Sequence, residues 1–282
     1  MEFDETNPLV ILQNNTPQED LCGMTPSEIH HLLYDAWTEL SPISVYPGIS
    51  EDILDQVPYF RLAEELVRIL SREKQVKLTA HGFLPQKIVR ELYDHRFIPD
   101  FFVDMRNAKV VREHDSAPIS SVHSIVKASG LVKNVKNKLI LTKKGELLAL
   151  PDARARLLLE VMKTFTQKWD WGNLDGYEEA YGIQQLWGFS VHLLSQFGHE
   201  EQKATFYSQK FLLAFPLVAE QFPTSLYSNP IEDFDRCYCI RTVEQFFEWW
   251  GLVKVDNARR TFSHTNRVIS ATPLVKEVFR FE

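Results

Sequence analysis

The chain has 282 residues, 44% of them hydrophobic, a net charge of −7 and three cysteines. That length implies two or three domains with full cores, and the composition excludes wholesale disorder. Three cysteines exclude a disulfide framework and point to a reducing, cytoplasmic setting. No apolar run reaches the roughly 18–20 residues that a membrane span needs, so no membrane partner is expected.

Residues 1–22 read as an extended polar leader. It starts Met1-Glu2-Phe3-Asp4-Glu5, the opposite of a signal peptide. Thr25-Pro26-Ser27-Glu28 then opens a helix: Thr25 caps, Pro26 suits the first turn and Glu28 closes a capping box. Ile29, Leu32, Leu33 and Trp37 carry that helix on to Ser41-Pro42. His30-His31 lies on it. Neighbouring helical positions diverge by about 100°, so the two do not readily ligate one metal. His31 and Asp35, at i and i+4, form a candidate polar site, an orienting pair of the kind found beside general bases; a polar stripe on a surface helix is the simpler alternative.

Pro42, Pro47, Gly48 and Pro58 mark a surface connection. A second helix follows at 59–73, then a strand Val76-Lys77-Leu78-Thr79, then a third helix opened by Pro85 that buries Ile88, Val89 and Leu92. Val103 and Val110-Val111 are short-strand candidates. Ile119–Ala128 is a helix. Leu131–Val135 and Leu139–Leu141 form a hairpin around Lys136-Asn137-Lys138, and a helix begins at Lys144. Pro151 marks a boundary. Beyond it, helical patterns span 152–168, 176–197, 200–221 and 233–249, punctuated by Gly172, Gly198, Pro223 and Pro230.

Two repeats decide the architecture. Leu78-Thr79-Ala80-His81-Gly82-Phe83-Leu84 returns as Leu141-Thr142-Lys143-Lys144-Gly145-Glu146-Leu147, with a weaker relative at Ala271-Thr272-Pro273-Leu274-Val275. The pattern suits a short strand feeding straight into a helix. Gly130-Leu131-Val132-Lys133 also recurs as Gly251-Leu252-Val253-Lys254, each time after a helix and before a polar tip and a return strand. The expected fold is mostly α (α+β), with two winged-helix-like units joined by a helical segment. The expected divisions are 1–57 (leader, capped helix and connection), 58–150 (first unit), 151–199 (helical linker) and 200–282 (second unit).

Charge is uneven. Residues 1–76 carry four basic side chains against fourteen acids; residues 121–144 carry Lys127, Lys133, Lys136, Lys138, Lys143 and Lys144 and no acid. These six lysines are the candidate nucleic-acid contacts, with Lys136 and Lys138 at the wing tip. Lys127, His123, Ser120, Ser121 and Ser124 lie on the candidate recognition helix, which is poor in the Arg, Asn and Gln that read bases. In the second unit Glu244 and Glu248 oppose phosphate, while Arg259, Arg260 and Arg267 favour it.

Other clusters carry less chemistry. Cys237-Tyr238-Cys239 has the wrong spacing for zinc or a redox pair, and Cys22 stands alone. Glu200-Glu201 suits the first turn of a helix. Trp169-Asp170-Trp171 is either a loop tucked against the bundle or an exposed binding pair. No phosphate loop, dinucleotide fingerprint, nucleophile elbow or His-Glu-x-x-His occurs.

The blocks Gly23-Met24-Thr25-Pro26-Ser27-Glu28-Ile29-His30-His31-Leu32-Leu33-Tyr34 and Lys77-Leu78-Thr79-Ala80-His81-Gly82-Phe83-Leu84-Pro85 resemble a family of uncharacterised bacterial proteins. Some relatives carry a C-terminal SEC-C zinc motif, whose cysteines this chain lacks. The resemblance implies that Thr25, Pro26, His30, Leu33, Tyr34, Thr79 and Gly82 belong to a recurring pattern, and it brings no catalytic residue. The expected function is a non-enzymatic binding module with no cofactor and no metal, taking nucleic acid through the first wing. The alternatives are a protein–protein scaffold pairing with itself or another protein, and a hydrolase or nuclease built on His31 and Asp35.

Overall fold

A computed structural model describes residues 7–100, 103–104, 112–177, 180–223, 229–256 and 263–282. It is mostly helical with small antiparallel sheets. The chain divides into two compact units. One comprises Pro47–Leu174 with Trp249–Gly251, the other Met1–Tyr46, Asp175–Glu248 and Leu252–Glu282.

In chain order, α1 (Pro8–Asn14) and α2 (Pro26–Tyr34) come first. The capping box forms as expected: Glu28 N donates to Thr25 Oγ1 at 3.1 Å and Thr25 N to Glu28 Oε2 at 2.6 Å. The helix stops earlier than its apolar spacing suggests. Asp35 is the C-cap, its backbone N–H bonding to His31 O, so Trp37 lies beyond the helix and packs on Trp187 instead. Strand β1 (Ile43–Val45) follows.

The unit containing the first hairpin begins with α3 (Glu51–Leu54) and α4 (Pro58–Glu73). Pro58 suits the first turn, and α4 buries Tyr59, Phe60, Leu62, Leu66, Ile69 and Leu70. Next come β2 (Val76–Lys77), α5 (Gln86–Asp94), α6 (Ala117–Ala128), β3 (Val132–Val135) and β4 (Lys138–Leu141). The three strands pair antiparallel in the order β2-β4-β3. Lys136 and Asn137 both have positive φ, 50° and 62°, as a two-residue type I′ hairpin requires. Asn137 ties this tip to the preceding segment: its Nδ2 donates to the carbonyls of Leu78 and Thr79, and its own carbonyl accepts from Leu78 N. Val103 is helical rather than extended, and its buried side chain explains its apolar character; Val110-Val111 lies outside the described residues.

The Leu-Thr-x-x-Gly-x-Leu repeat folds in two ways. At Leu141 the strand does run into a helix, α7 (Lys143–Leu148), capped by Thr142 Oγ1, which accepts from Gly145 N at 3.1 Å. At Leu78 it closes a turn instead. Thr79 N donates to Phe83 O at 2.8 Å and Phe83 N to Thr79 Oγ1 at 3.1 Å, Gly82 adopts φ +82°, and Pro85 holds Leu84 out of the helical region, so no helix starts before Gln86. The two glycines therefore serve different needs. Gly82 supplies a left-handed turn with open space around it; a Cβ on Gly145 would lie 2.1 Å from the Leu131 carbonyl oxygen. Gly145→Ala should cost about 1–3 kcal/mol by overpacking, and Gly82→Ala about 1–2 kcal/mol from backbone conformation alone. Urea unfolding of the two variants measures this; an undiminished Gly145→Ala would show that the strand–helix corner is free to open.

After a 3₁₀ turn at Pro151, α8 (Arg154–Gln167) packs Leu157, Leu158, Val161, Met162 and Phe165 inward. Trp249 and Trp250 join this same core: Tyr59 stacks on Trp249 with ring centroids 5.7 Å apart, and Phe165 meets Trp250 edge-on at 5.5 Å.

The other unit continues with α9 (Tyr181–Gln185), α10 (Trp187–Phe197), β5 (Gln202–Lys203), α11 (Ala204–Ala214) and α12 (Pro230–Tyr238). The single helices expected at 176–197 and 200–221 are each interrupted, the first at Leu186 and the second by Phe215-Pro216. Cys239–Glu248 winds as a π-helix, and β6 (Val253–Val255), β7 (Val268–Ala271), α13 (Leu274–Val278) and β8 (Phe279–Phe281) complete the chain. Strands β5, β7 and β6 pair antiparallel in the order β5-β7-β6, and β1 pairs with β8.

The two Gly-Leu-Val-Lys copies occupy equivalent places. Gly130 and Gly251 share φ +72°. Leu131 O accepts from Thr142 N at 2.9 Å, and Leu252 O from Thr272 N at 2.8 Å. Val132 pairs with Leu141, and Val253 with Ala271. Both sheets place the second hairpin arm in the centre, between the first arm and a short strand from further up the chain.

Candidate nucleic-acid interface

Strand pairing sorts the first sheet into two faces. Val76, Leu139 and Val132 point inward and are buried. Residues directly opposite one another share a face, so the outward set is Lys77, Lys138 and Val135 in one row and Ile140 with Lys133 in the next. Lys127, Lys133, Lys136, Lys138 and Lys143 are all exposed, and among the described residues none of them makes an ion pair. Lys138 Nζ donates to Gln75 Oε1 at 3.1 Å, a neutral partner.

Lys144 differs from the rest. Its ammonium sits 2.7 Å from Glu160 and donates to Ser129 O at 2.9 Å, so it ties α7 to α8 and to the end of α6. Lys77 is the lysine that sequence reasoning missed. It stands 50 residues ahead of Lys127, and only the register Lys77↔Lys138 brings it in.

The candidate recognition helix α6 presents a plain face. Ala117, Ser124, Lys127 and Ala128 are exposed and Ser120 partly so. His123 and Ser121, expected among its contacts, are buried. Ser121 Oγ lies 2.8 Å from Tyr59 OH, and His123 Nδ1 lies 2.8 Å from Glu113 Oε1. Glu113 Oε2 in turn accepts from Leu84 N at 2.5 Å, locking the Thr79–Leu84 turn to α6. Burial pushes the Tyr59 hydroxyl well above the usual phenol range.

Among the described acids of residues 1–76, Glu51, Asp55, Glu64, Glu65 and Glu73 have arginine partners within their own unit. Arg154 donates to Glu64 at 2.6 Å and Asp55 at 2.8 Å and also pairs with Glu51. Arg61 meets Asp55 at 3.0 Å, Arg68 meets Glu65 at 3.2 Å and Arg72 meets Glu91 at 2.8 Å. The Arg154 guanidinium holds the Asp55 carboxyl below its ordinary range. The cleft of about 280 Å³ beside Arg154 is thus lined by matched charges, not by free arginines.

In the second unit Arg267 is similarly engaged, 3.0 Å from Glu244 and 2.6 Å from Glu248, and His264 bonds Glu244 at 2.5 Å. Glu244 and Glu248 therefore hold the segment that leads into β7. Arg259 and Arg260 lie outside the described residues. On the second sheet Lys254 and Lys203 stand exposed at the places of Lys133 and Lys77, opposite Ser270 and Val268, so that face keeps two lysines where the first sheet has three with Lys138.

Other candidates resolve as follows. His31 Nδ1 and Asp35 Oδ2 do pair, at 2.9 Å, with both side chains about a third exposed. Among the described residues no group of three or more His, Cys, Asp or Glu side chains is placed to hold a metal. Cys237 and Cys239 are buried, which pushes both thiols far above their ordinary range, and Cys22 is half-buried. Trp169 and Trp171 are core residues, with Trp171 Nε1 donating to Phe165 O at 2.9 Å, so the loop offers no exposed aromatic pair. Glu200 and Glu201 precede β5 rather than charging a helix, because the strand intervenes before Ala204. No described helix is long and apolar enough to cross a membrane.

A family model described as the Y4jL N-terminal domain, an uncharacterised family, matches residues 55–156. The match contains the Lys77–Pro85 block, all six lysines of the strip and the β2-β4-β3 sheet; the Gly23–Tyr34 block lies ahead of it. No curated protein and no solved structure matches the chain.

Proposed function

We propose that residues 58–150 form a winged-helix unit acting as a non-enzymatic nucleic-acid-binding module, with the β3–β4 hairpin as its wing. The order of α4, β2, α5, α6 and the hairpin, with β4 central in the sheet, supports the winged-helix reading. The observation that carries the binding reading is the lysine set itself. Five ammonium groups stand exposed around one hairpin without an acid partner among the described residues. A face of one sign that its own protein leaves unmatched is an electrostatic footprint for a polyanion.

A scaffold built by pairing the acidic opening third with this strip is less well supported. Glu51, Asp55, Glu64 and Glu65 already have arginine partners in the same unit, so fewer acids are left to offer a second copy.

The test is binding of the full chain to a short duplex and to heparin as salt is varied. Each neutralised phosphate contributes a log–log slope of about −0.9, so engagement of three to five lysines predicts a slope of roughly −3 to −4.5. No binding at low salt, or binding that salt leaves unchanged, would retire the reading.

A further inference from the structure

Lys77 and Lys138 face each other directly across β2 and β4, on the exposed side of the sheet, with no acid between them. Like charges set opposite in a strand pair repel and weaken it. The sheet keeps this arrangement beside Lys133 in the next row and Lys136 at the tip. A phosphate lying along the row would turn that repulsion into attraction.

The neighbouring helix offers nothing comparable. The accessible side chains of α6 are Ala117, Ser120, Ser124, Lys127 and Ala128. Among them Lys127 alone has the reach and chemistry for a base edge, a contact to guanine; no Arg, Asn, Gln, Asp or Glu accompanies it to specify a site, and His123 is turned inward. The outward sheet face holds Val135 and Ile140 between its lysines and no aromatic ring on which an unpaired base would stack. Acids close one end of this face: Glu73 and Glu146 line the groove beside Ile140 together with Lys74 and Gln75. The positive region is therefore the row nearest the tip.

Resting on the nucleic-acid reading, we infer that this unit grips a duplex by its phosphate backbone, sheet face and wing first, with Lys77 in the site and without reading sequence. Helix α6 supports the wing and does not enter the groove as a reader. The partner is duplex nucleic acid of any sequence, recognised as a rigid double row of phosphates.

The experiment uses the full chain, a random-sequence duplex pool sequenced before and after selection, and a single strand of the same length. Wild type should bind the duplex pool with no sequence enriched, and the single strand more weakly. Lys77→Gln should weaken duplex binding severalfold and reduce the salt slope by about one unit. Ser124→Ala on α6 should leave both unchanged. Relieved of its repulsion, Lys77→Gln should melt at or above the wild-type temperature in low salt. An enriched motif, tighter single-strand binding, an unchanged slope in Lys77→Gln, or a lowered melting temperature for that variant would each overturn this inference while leaving nucleic-acid binding standing. Absence of wild-type binding would remove both.

Discussion

Replacing Lys136 and Lys138 together by glutamate should abolish heparin retention and reduce low-salt duplex binding by about a hundredfold or more, since two phosphate contacts are lost and two repulsions gained. The fold should survive. Lys136 already holds φ 50°, and a glutamate there meets the same backbone demand as the lysine it replaces. The turn is held by Asn137, through its bonds to Leu78 and Thr79, and neither substitution touches those. Lys138 loses one exposed bond to Gln75, a contact of small weight in water. Lys144→Gln supplies the contrast. That ammonium is engaged by Glu160 and Ser129, so its removal should leave duplex binding nearly unchanged and lower stability slightly. Equal losses in the two variants would mean that attraction comes from diffuse charge rather than from the wing, and the proposed interface would fall.

How much of this interface a reader of the sequence meets is set by the range of the interactions that build it. The hairpin is local: a Gly start, alternating apolar residues and Lys-Asn at the tip specify it within about a dozen positions. The capping box of α2 and the inward face of α5 are local too. Lys77 is not, because it enters the site through β2–β4 pairing. Lys144 looked like its neighbours until α8 brought Glu160 against it. His123 and Ser121 sat at helical positions that read as accessible. Their partners, Glu113 and Tyr59, come from other segments and draw them inward, as buried polar groups require. The π-helix at Cys239–Glu248 also has no signature of its own. Its sequence reads as an ordinary amphipathic helix, and the widened winding goes with buried Arg241, Thr242 and Gln245.

Arg241→Ala should be among the most damaging single substitutions in the chain, costing about 3–5 kcal/mol, the range for stranding one member of a buried ion pair. The guanidinium and the Asp175 carboxylate are fully enclosed, at 1% and 0% side-chain exposure. They meet in a two-pronged bond, Nε to Oδ2 at 2.5 Å and Nη2 to Oδ1 at 3.1 Å. The remaining donors reach the carbonyls of Ala180, at 2.6 Å, and Tyr177. One side chain from the π-helix thus satisfies a buried acid and two backbone oxygens of the segment 175–180. Alanine would leave all three without that donor. Lysine keeps the charge and loses the planar fork, so Arg241→Lys should fall between wild type and alanine. The decisive comparison is Arg241→Met combined with Asp175→Leu. Removing both charges eliminates the stranded acid, so the double variant should be more stable than Arg241→Ala alone, although it still gives up the bonds to the two carbonyls. Urea denaturation measures all three. Should Arg241→Ala lose less than about 1 kcal/mol, the bonds that Asp175 keeps from Tyr177 N at 2.9 Å and Cys237 Sγ at 3.8 Å suffice to hold it, and the enclosed pair would not be what fastens this segment.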